Sequence, residues 1–244
     1  MRKLSLYSFV LLFLFTSCHT EYKAQQVQFR NYRLTKEYNT SSSIATLIKP
    51  YGDSLSGKMD VVIGENETLL ERKRQANTLG YFITDAYLAM AKQKISNGVD
   101  IAFMNTGGVR LPDIAAGPVT QGKIYELMPF DNLMVSVKMT GRQLKQYLDT
   151  LAARDGILES GMTMTLKNNE VSNVKIGNKP LDLQSVYTIV HSDYVVINTP
   201  LLKDLERSTN GYLLRDAIID YVEQLNKQGK KIKVTNIDRI SYVN

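Results

Sequence analysis

Four short segments of this chain hold residue types that could do chemistry, and each lies where an apolar run begins or ends. The first is Asn105-Thr106-Gly107-Gly108-Val109-Arg110. Successive glycines let a backbone approach a ligand closely and bare its N–H groups, and an arginine two residues on offers a fork of donors suited to phosphate. Taken alone, the same run is also a tight turn with an exposed arginine. The second is Pro129-Phe130-Asp131-Asn132. An aromatic held in such a loop can stack on a base, and the asparagine can hydrogen-bond a sugar hydroxyl. Equally, Phe130 could close the core edge while Asp131-Asn132 makes the turn. The third is Glu71-Arg72-Lys73-Arg74, just ahead of a helix opening near Asn77. Cations there add to the positive end of the helix dipole, which suits an anion, unless the run is simply a solvated charged face. The fourth is His191-Ser192-Asp193-Tyr194, ending a strand. Strand neighbours point to opposite faces, so this run is not a nucleophilic triad. Tyr194 is better read as an aromatic platform, and His191 as a packed or surface histidine.

The rarest residues narrow the chemistry. There are two histidines, at 19 and 191, and one cysteine, at 18. Two histidines cannot build a His-rich dinuclear centre, and one thiol allows neither a CxxC zinc site nor an internal disulfide. The 43% apolar and 22% charged composition is that of a globular chain, against disorder and against a polytopic membrane protein. Lys and Arg are interleaved with Asp and Glu, so the formal charge of +6 does not point to nucleic acid.

The N-terminus reads as an export signal. Arg2 and Lys3 precede an apolar stretch from Leu4 to Phe15, too short for a comfortable membrane span. Leu14-Phe15-Thr16-Ser17-Cys18 resembles a bacterial lipobox, with Phe15 where Leu is usual. The expectation is a signal peptide over 1–17, lipidation of Cys18 and a tether over 18–30. Acylation would use the lone thiol and anchor the exported protein to a bacterial membrane. Alternatives are an ordinary secretory signal or a short uncleaved anchor.

The elements that must position these segments follow from periodicity. No Pro/Gly-rich linker divides the remainder, which reads as one domain over 31–244. Ile44 to Pro50 looks like the end of a short helix stopped by Pro50, and Met59 to Ile63 like a strand closed by Gly64. Leu79, Phe82, Ile83, Ala86, Tyr87 and Met90 recur at helical spacing up to about Lys94. Val99 to Met104 suits a buried strand. Thr120 can cap a short helix ending before Pro129, and Leu133 to Met139 reads as a strand. Thr140 with Gln143 fits a capping box for a helix bearing Leu144, Tyr147, Leu148 and Leu151. Strands follow at 162–166, 171–176 and 186–190, the first two joined by Lys167-Asn168-Asn169. Leu213 to Leu225 is a second long helix, and Ile237 to Val243 a last strand. This mixture suggests α+β or a layered α/β fold with a mixed sheet.

These pieces, in this order, resemble the C-terminal domain of the 5'-nucleotidase family. The carriers are Asn77-Thr78-Leu79-Gly80 with Thr84-Asp85-Ala86, Asp100 through Arg110, Met128 through Asn132, Met139-Thr140-Gly141 with Leu144 and Leu148, 176–180, and Tyr187 through Tyr194. The resemblance spans roughly 55–244. It implies a layered α/β/β/α fold that binds a nucleotide or nucleoside. It also implies roles: Arg72 and Arg110 facing phosphate, Asn105 opening the Gly107-Gly108 loop, Phe130 and Tyr194 clamping the base, and Asn132 contacting ribose.

The chain departs from the family pattern in three places. Where the family has a Gly-Gly-Asp-Gly loop whose Asp holds the ribose hydroxyls, Val195 to Pro200 stands instead. Thr68 replaces an arginine present in some bacterial members. The family's metallophosphoesterase domain, with its two metals, has no counterpart after Cys18. The expectation is therefore a recognition half with no cofactor of its own, working with a separate metallophosphoesterase chain that carries divalent metals. The alternatives are a non-catalytic nucleotide- or nucleoside-binding lipoprotein and a degenerate structural relic.

Overall fold

The computed structural model describes residue 30 and residues 42–73, 76–95, 98–154 and 156–243. The expected signal, Cys18 and most of the tether lie outside the described residues. The described residues from Ile48 onward form one compact unit. Helix α1 (Ser42–Met59) leads into β1 (Val62–Asn66), β2 (Leu70–Glu71) and the long α2 (Thr78–Lys94). Next come β3 (Ile101–Met104), a 3-10 turn at Thr106–Gly108, β4 (Asp113–Ile114), β5 (Gly117–Thr120) and α3 (Gln121–Leu127). β6 (Met134–Thr140) and α4 (Gly141–Ala152) precede β7 (Leu158–Ser160), β8 (Met162–Lys167), β9 (Glu170–Ile176) and β10 (Lys179–Pro180). The chain finishes with β11 (Val186–Ser192), α5 (Asp193–Asn198), α6 (Pro200–Lys203), β12 (Arg207–Ser208), α7 (Leu214–Lys227) and β13 (Ile240–Val243).

Several boundaries are set by local chemistry visible in the sequence. The Asn77 side chain accepts from Gly80 N–H at 2.8 Å and caps α2. Thr120 caps α3, and Thr140 with Gln143 forms the full capping box of α4. Asn168 and Asn169, both at positive φ, make the β8–β9 turn, as asparagine tolerates that region. Other expectations are corrected. α1 does not stop at Pro50 but continues to Met59, because proline forfeits one backbone donor without forbidding further turns. Met59 therefore belongs to the helix, and the strand starts at Val62. The last strand begins at Ile240, where parallel pairing with Met164 begins.

The central sheet has the order β12-β6-β11-β3-β7, with β3 parallel to β11 and the other pairs antiparallel. A run such as Ile101–Met104, apolar at every position, needs burial on both faces. Ala102 and Met104 pack with α2 and α7 in one core; Ile101 and Phe103 pack with α4 and the sheet β10-β9-β8-β13 in a second. The result is the layered mixed α/β arrangement expected from the sequence. Gly161, at φ +104°, is needed where β7 turns into β8, since a Cβ there would collide with the Asp100 carbonyl.

Candidate functional site

Strand direction decides where the chemistry-bearing loops meet. β3 and β11 run parallel, with Ile189 opposite Ile101 and Val190 opposite Ala102, so the loops after Met104 and after Ser192 leave the same edge of the sheet. β6 is antiparallel to β11, with Met134 opposite Ser192, so the loop before β6 arrives at that edge too. A crevice at the carboxyl ends of parallel strands is where α/β sheets characteristically bind ligands. Here it is a cavity of about 510 Å³.

Asn105, Gly107, Gly108, Arg110, Phe130, Asn132 and Tyr194 all line this cavity. The Gly107-Gly108 loop is tighter than an open cradle of amides. Gly108 N–H donates to the Asn105 carbonyl at 3.0 Å, Val109 N–H to Thr106 at 3.3 Å, and Arg110 N–H to Leu127 at 3.0 Å. Its own hydrogen bonds therefore give the loop its shape, and a Cβ on Gly108 would require the flexible end of Met104 to move. Arg110 is exposed, and its guanidinium carbon lies 4.9 Å from the centre of the Phe130 ring. That is cation–π range, so the arginine and the aromatic form one unit. Phe130 is half-buried against the first core, while Tyr194 is 61% exposed at the first turn of α5. Asn132 donates from Nδ2 to Asp193 Oδ1 at 3.0 Å. The segment standing in place of the family's Gly-Gly-Asp-Gly loop folds into α5 and α6.

Arg72 does not line the cavity. It is exposed and donates from its guanidinium to the Val109 carbonyl at 3.1 Å, one residue before Arg110. In the charge run around it, Lys73 pairs with Glu71 at 2.6 Å, and Arg74 lies outside the described residues. His191 is a packed histidine. Its ring stacks on Phe103 at 6.0 Å and 19°, and burial pushes its pKa down to about 3. Thr84 and Asp85 serve the fold: Thr84 Oγ1 donates to the Glu159 carbonyl at 2.9 Å, and Asp85 accepts from Ser160 and Arg239.

Other contributors escaped the sequence reading. Met104, Met128, Ser192 and Leu214 complete the cavity wall. Arg215, buried in the first turn of α7, donates to Asp131 and to the Phe130 carbonyl at 3.4 Å, and its guanidinium lies 4.1 Å from the centre of the Tyr125 ring. It thus ties the loop carrying Phe130 to α7. Asp131 offsets a cation placed at the positive end of a helix. Ser192 lay inside a run already singled out, whereas Arg215 had no local signal, since its acceptors lie more than eighty residues earlier.

Fold and site define a layered mixed α/β domain that gathers an arginine, two aromatics and two asparagines at one edge of its central sheet. Residues 56–200 match the family described as 5'-nucleotidase, C-terminal domain. The 5'-nucleotidase of Vibrio vulnificus is 30% identical over 171 residues, covering 66% of this chain and 30% of that protein. Escherichia coli Protein UshA is 27% identical over 161 residues, covering 63% of this chain and 28% of that one. A 5'-nucleotidase precursor from Thermus thermophilus shares the fold with a TM-score of 0.70 at 24% identity, over 83% of this chain and 43% of that one. The chain belongs to the 5'-nucleotidase C-terminal domain family, and it spans about a third of the length of the curated relatives it matches.

Proposed function

We propose that this domain is the nucleotide-recognition part of a 5'-nucleotidase-type hydrolase and acts in nucleotide breakdown. The observation that carries the reading is the convergence of Asn105, Arg110, Phe130, Asn132 and Tyr194 on one cavity from three loops. An aromatic platform suits a base, an amide suits a sugar hydroxyl, and a guanidinium suits a phosphate. Phosphoester hydrolysis also needs water activated and charge neutralised on the phosphoryl oxygens, commonly by metal ions. The cavity wall contains no His, Cys, Asp or Glu, and no group of three or more such residues able to hold a metal exists among the described residues. The residues present do not fit a metal centre, so the reading assigns the divalent metals to a separate metallophosphoesterase chain.

The test is AMP hydrolysis by this protein alone, by a candidate metal-bearing chain alone, and by both. Activity from the mixture alone is the expected result, weakened by Arg110→Ala. Hydrolysis by this protein alone, or none from any mixture, would remove the partnered role. A non-catalytic nucleotide- or nucleoside-binding protein is the second reading. It is favoured because the cavity wall carries an arginine, two aromatics and two asparagines but no His, Cys, Asp or Glu, and it predicts binding with no partner present. The location proposed is export with lipid anchoring at Cys18. Mass spectrometry of the membrane-extracted N-terminus checks it, with Cys18→Ala expected to release the protein from membranes.

A further inference from the structure

Asn132 sits where three elements meet. Its carbonyl accepts from Leu214 N–H at 2.9 Å at the start of α7, and the neighbouring Leu133 carbonyl accepts from Asp193 N–H at 3.0 Å. Its side-chain Nδ2 donates to Asp193 Oδ1 at 3.0 Å. A carboxylate only accepts hydrogen bonds, so the neighbour's chemistry decides which end of the amide faces it. Nδ2 must turn toward Asp193, and Oδ1 away. Asp193 is itself held in place, its Oδ1 accepting from Tyr194 N–H at 2.7 Å and from Ser192 Oγ at 3.4 Å. Asn132 lines the cavity and Asp193 does not. The side chain that meets a ligand there offers an acceptor, backed by a negative charge.

We propose that Asp193 is a specificity-determining positioning residue: it locks the Asn132 amide with Oδ1 toward the ligand, so the cavity selects sugars that bear a hydroxyl donor. The inference rests on the nucleotide-recognition reading and deepens it. A phosphate placed beside Asn132 would meet the Asp193 carboxylate, whereas an uncharged hydroxyl gains from it. Asp193 thereby supplies a carboxylate behind the sugar contact, although it stands outside the segment that replaces the family's Gly-Gly-Asp-Gly loop.

Calorimetry on the full chain with AMP and with 2',3'-dideoxy-AMP tests this. AMP should bind at least about fivefold more tightly, the effect of one satisfied hydrogen bond. Asp193→Asn keeps an acceptor for Tyr194 N–H but can also donate to Asn132, so the amide is free to turn. The preference should then fall to about twofold or less, with AMP losing more affinity than the dideoxy probe. Asn132→Ala should erase the preference by removing the acceptor, and it decides the matter should Asp193→Asn fail to fold. If Asp193→Asn weakens both probes alike, Asp193 is merely structural and the proposal falls. Equal binding of both probes to the unaltered chain overturns it while sparing nucleotide recognition, and binding of neither overturns both.

Discussion

Arg110 and Phe130 are best understood as a pair. With the guanidinium carbon 4.9 Å from the ring centre, the arginine already covers part of the aromatic surface. The guanidinium and the ring thus present themselves to the cavity side by side. Arg110→Ala should weaken a nucleoside monophosphate by roughly tenfold more than the matching nucleoside, since a hydrogen bond to a charged group is worth about 1.5–3 kcal/mol. Calorimetry with AMP and adenosine reads that difference. Phe130→Ala should cost both ligands alike, by about 1–3 kcal/mol for the lost stacking. At this scale the sequence was informative about residue types and silent about partners. Asp193 lay inside a run read for its other residues, and Arg215 gave no signal because its acceptors lie more than eighty residues earlier.

At the scale of elements, β7, β13 and α2 are pinned together by one buried arginine. Arg239 donates to Asp85 at 2.6 Å, to the Glu159 carbonyl at 3.1 Å and to the Asn236 carbonyl at 2.9 Å, and it lies 4.6 Å from the centre of the Tyr81 ring. Replacing it by methionine keeps the packing volume and leaves Asp85 without its cation. Asp85 is about a quarter exposed, which softens the loss, so Arg239→Met should destabilise by about 3 kcal/mol in urea unfolding. Long helices such as α2 and α4 were legible because their apolar spacing and caps agree. α5 and α6 were not. Helices of six and four residues build no periodicity, and they hold because Val196 and Leu202 reach the second core.

For the whole molecule, the buried acids and bases set the pH response. Burial raises the Glu159 pKa to about 8, against the influence of Arg239 and the Met162 N–H. The native state therefore holds a proton that the unfolded chain releases near the ordinary glutamate range. Between about pH 4.5 and 8 the native state binds more protons than the unfolded one, so stability falls as pH rises through that window. Glu159→Gln should flatten this decline, as measured by unfolding midpoints at pH 6 and pH 8. His191 acts on the acid side. With its pKa depressed to about 3, it stays neutral when folded, and its contribution is lost as pH falls from about 6.5 toward 3.

What the amino-acid sequence determined by itself is local. Asn77, Thr120 and Thr140 satisfy helix ends with their own side chains, Asn168-Asn169 accepts the torsions of a tight turn, and the apolar run at Ile101–Met104 demands burial on both faces. It also placed an arginine, two aromatics and two asparagines in segments marked as loops or strand ends. Only the tertiary structure decided that those segments share one cavity. That depends on β3 lying parallel to β11 and β6 antiparallel to it, pairings between residues dozens of positions apart. Such register is chosen by burying two faces of one sheet at once, a property of the assembled core that no stretch of the chain carries alone.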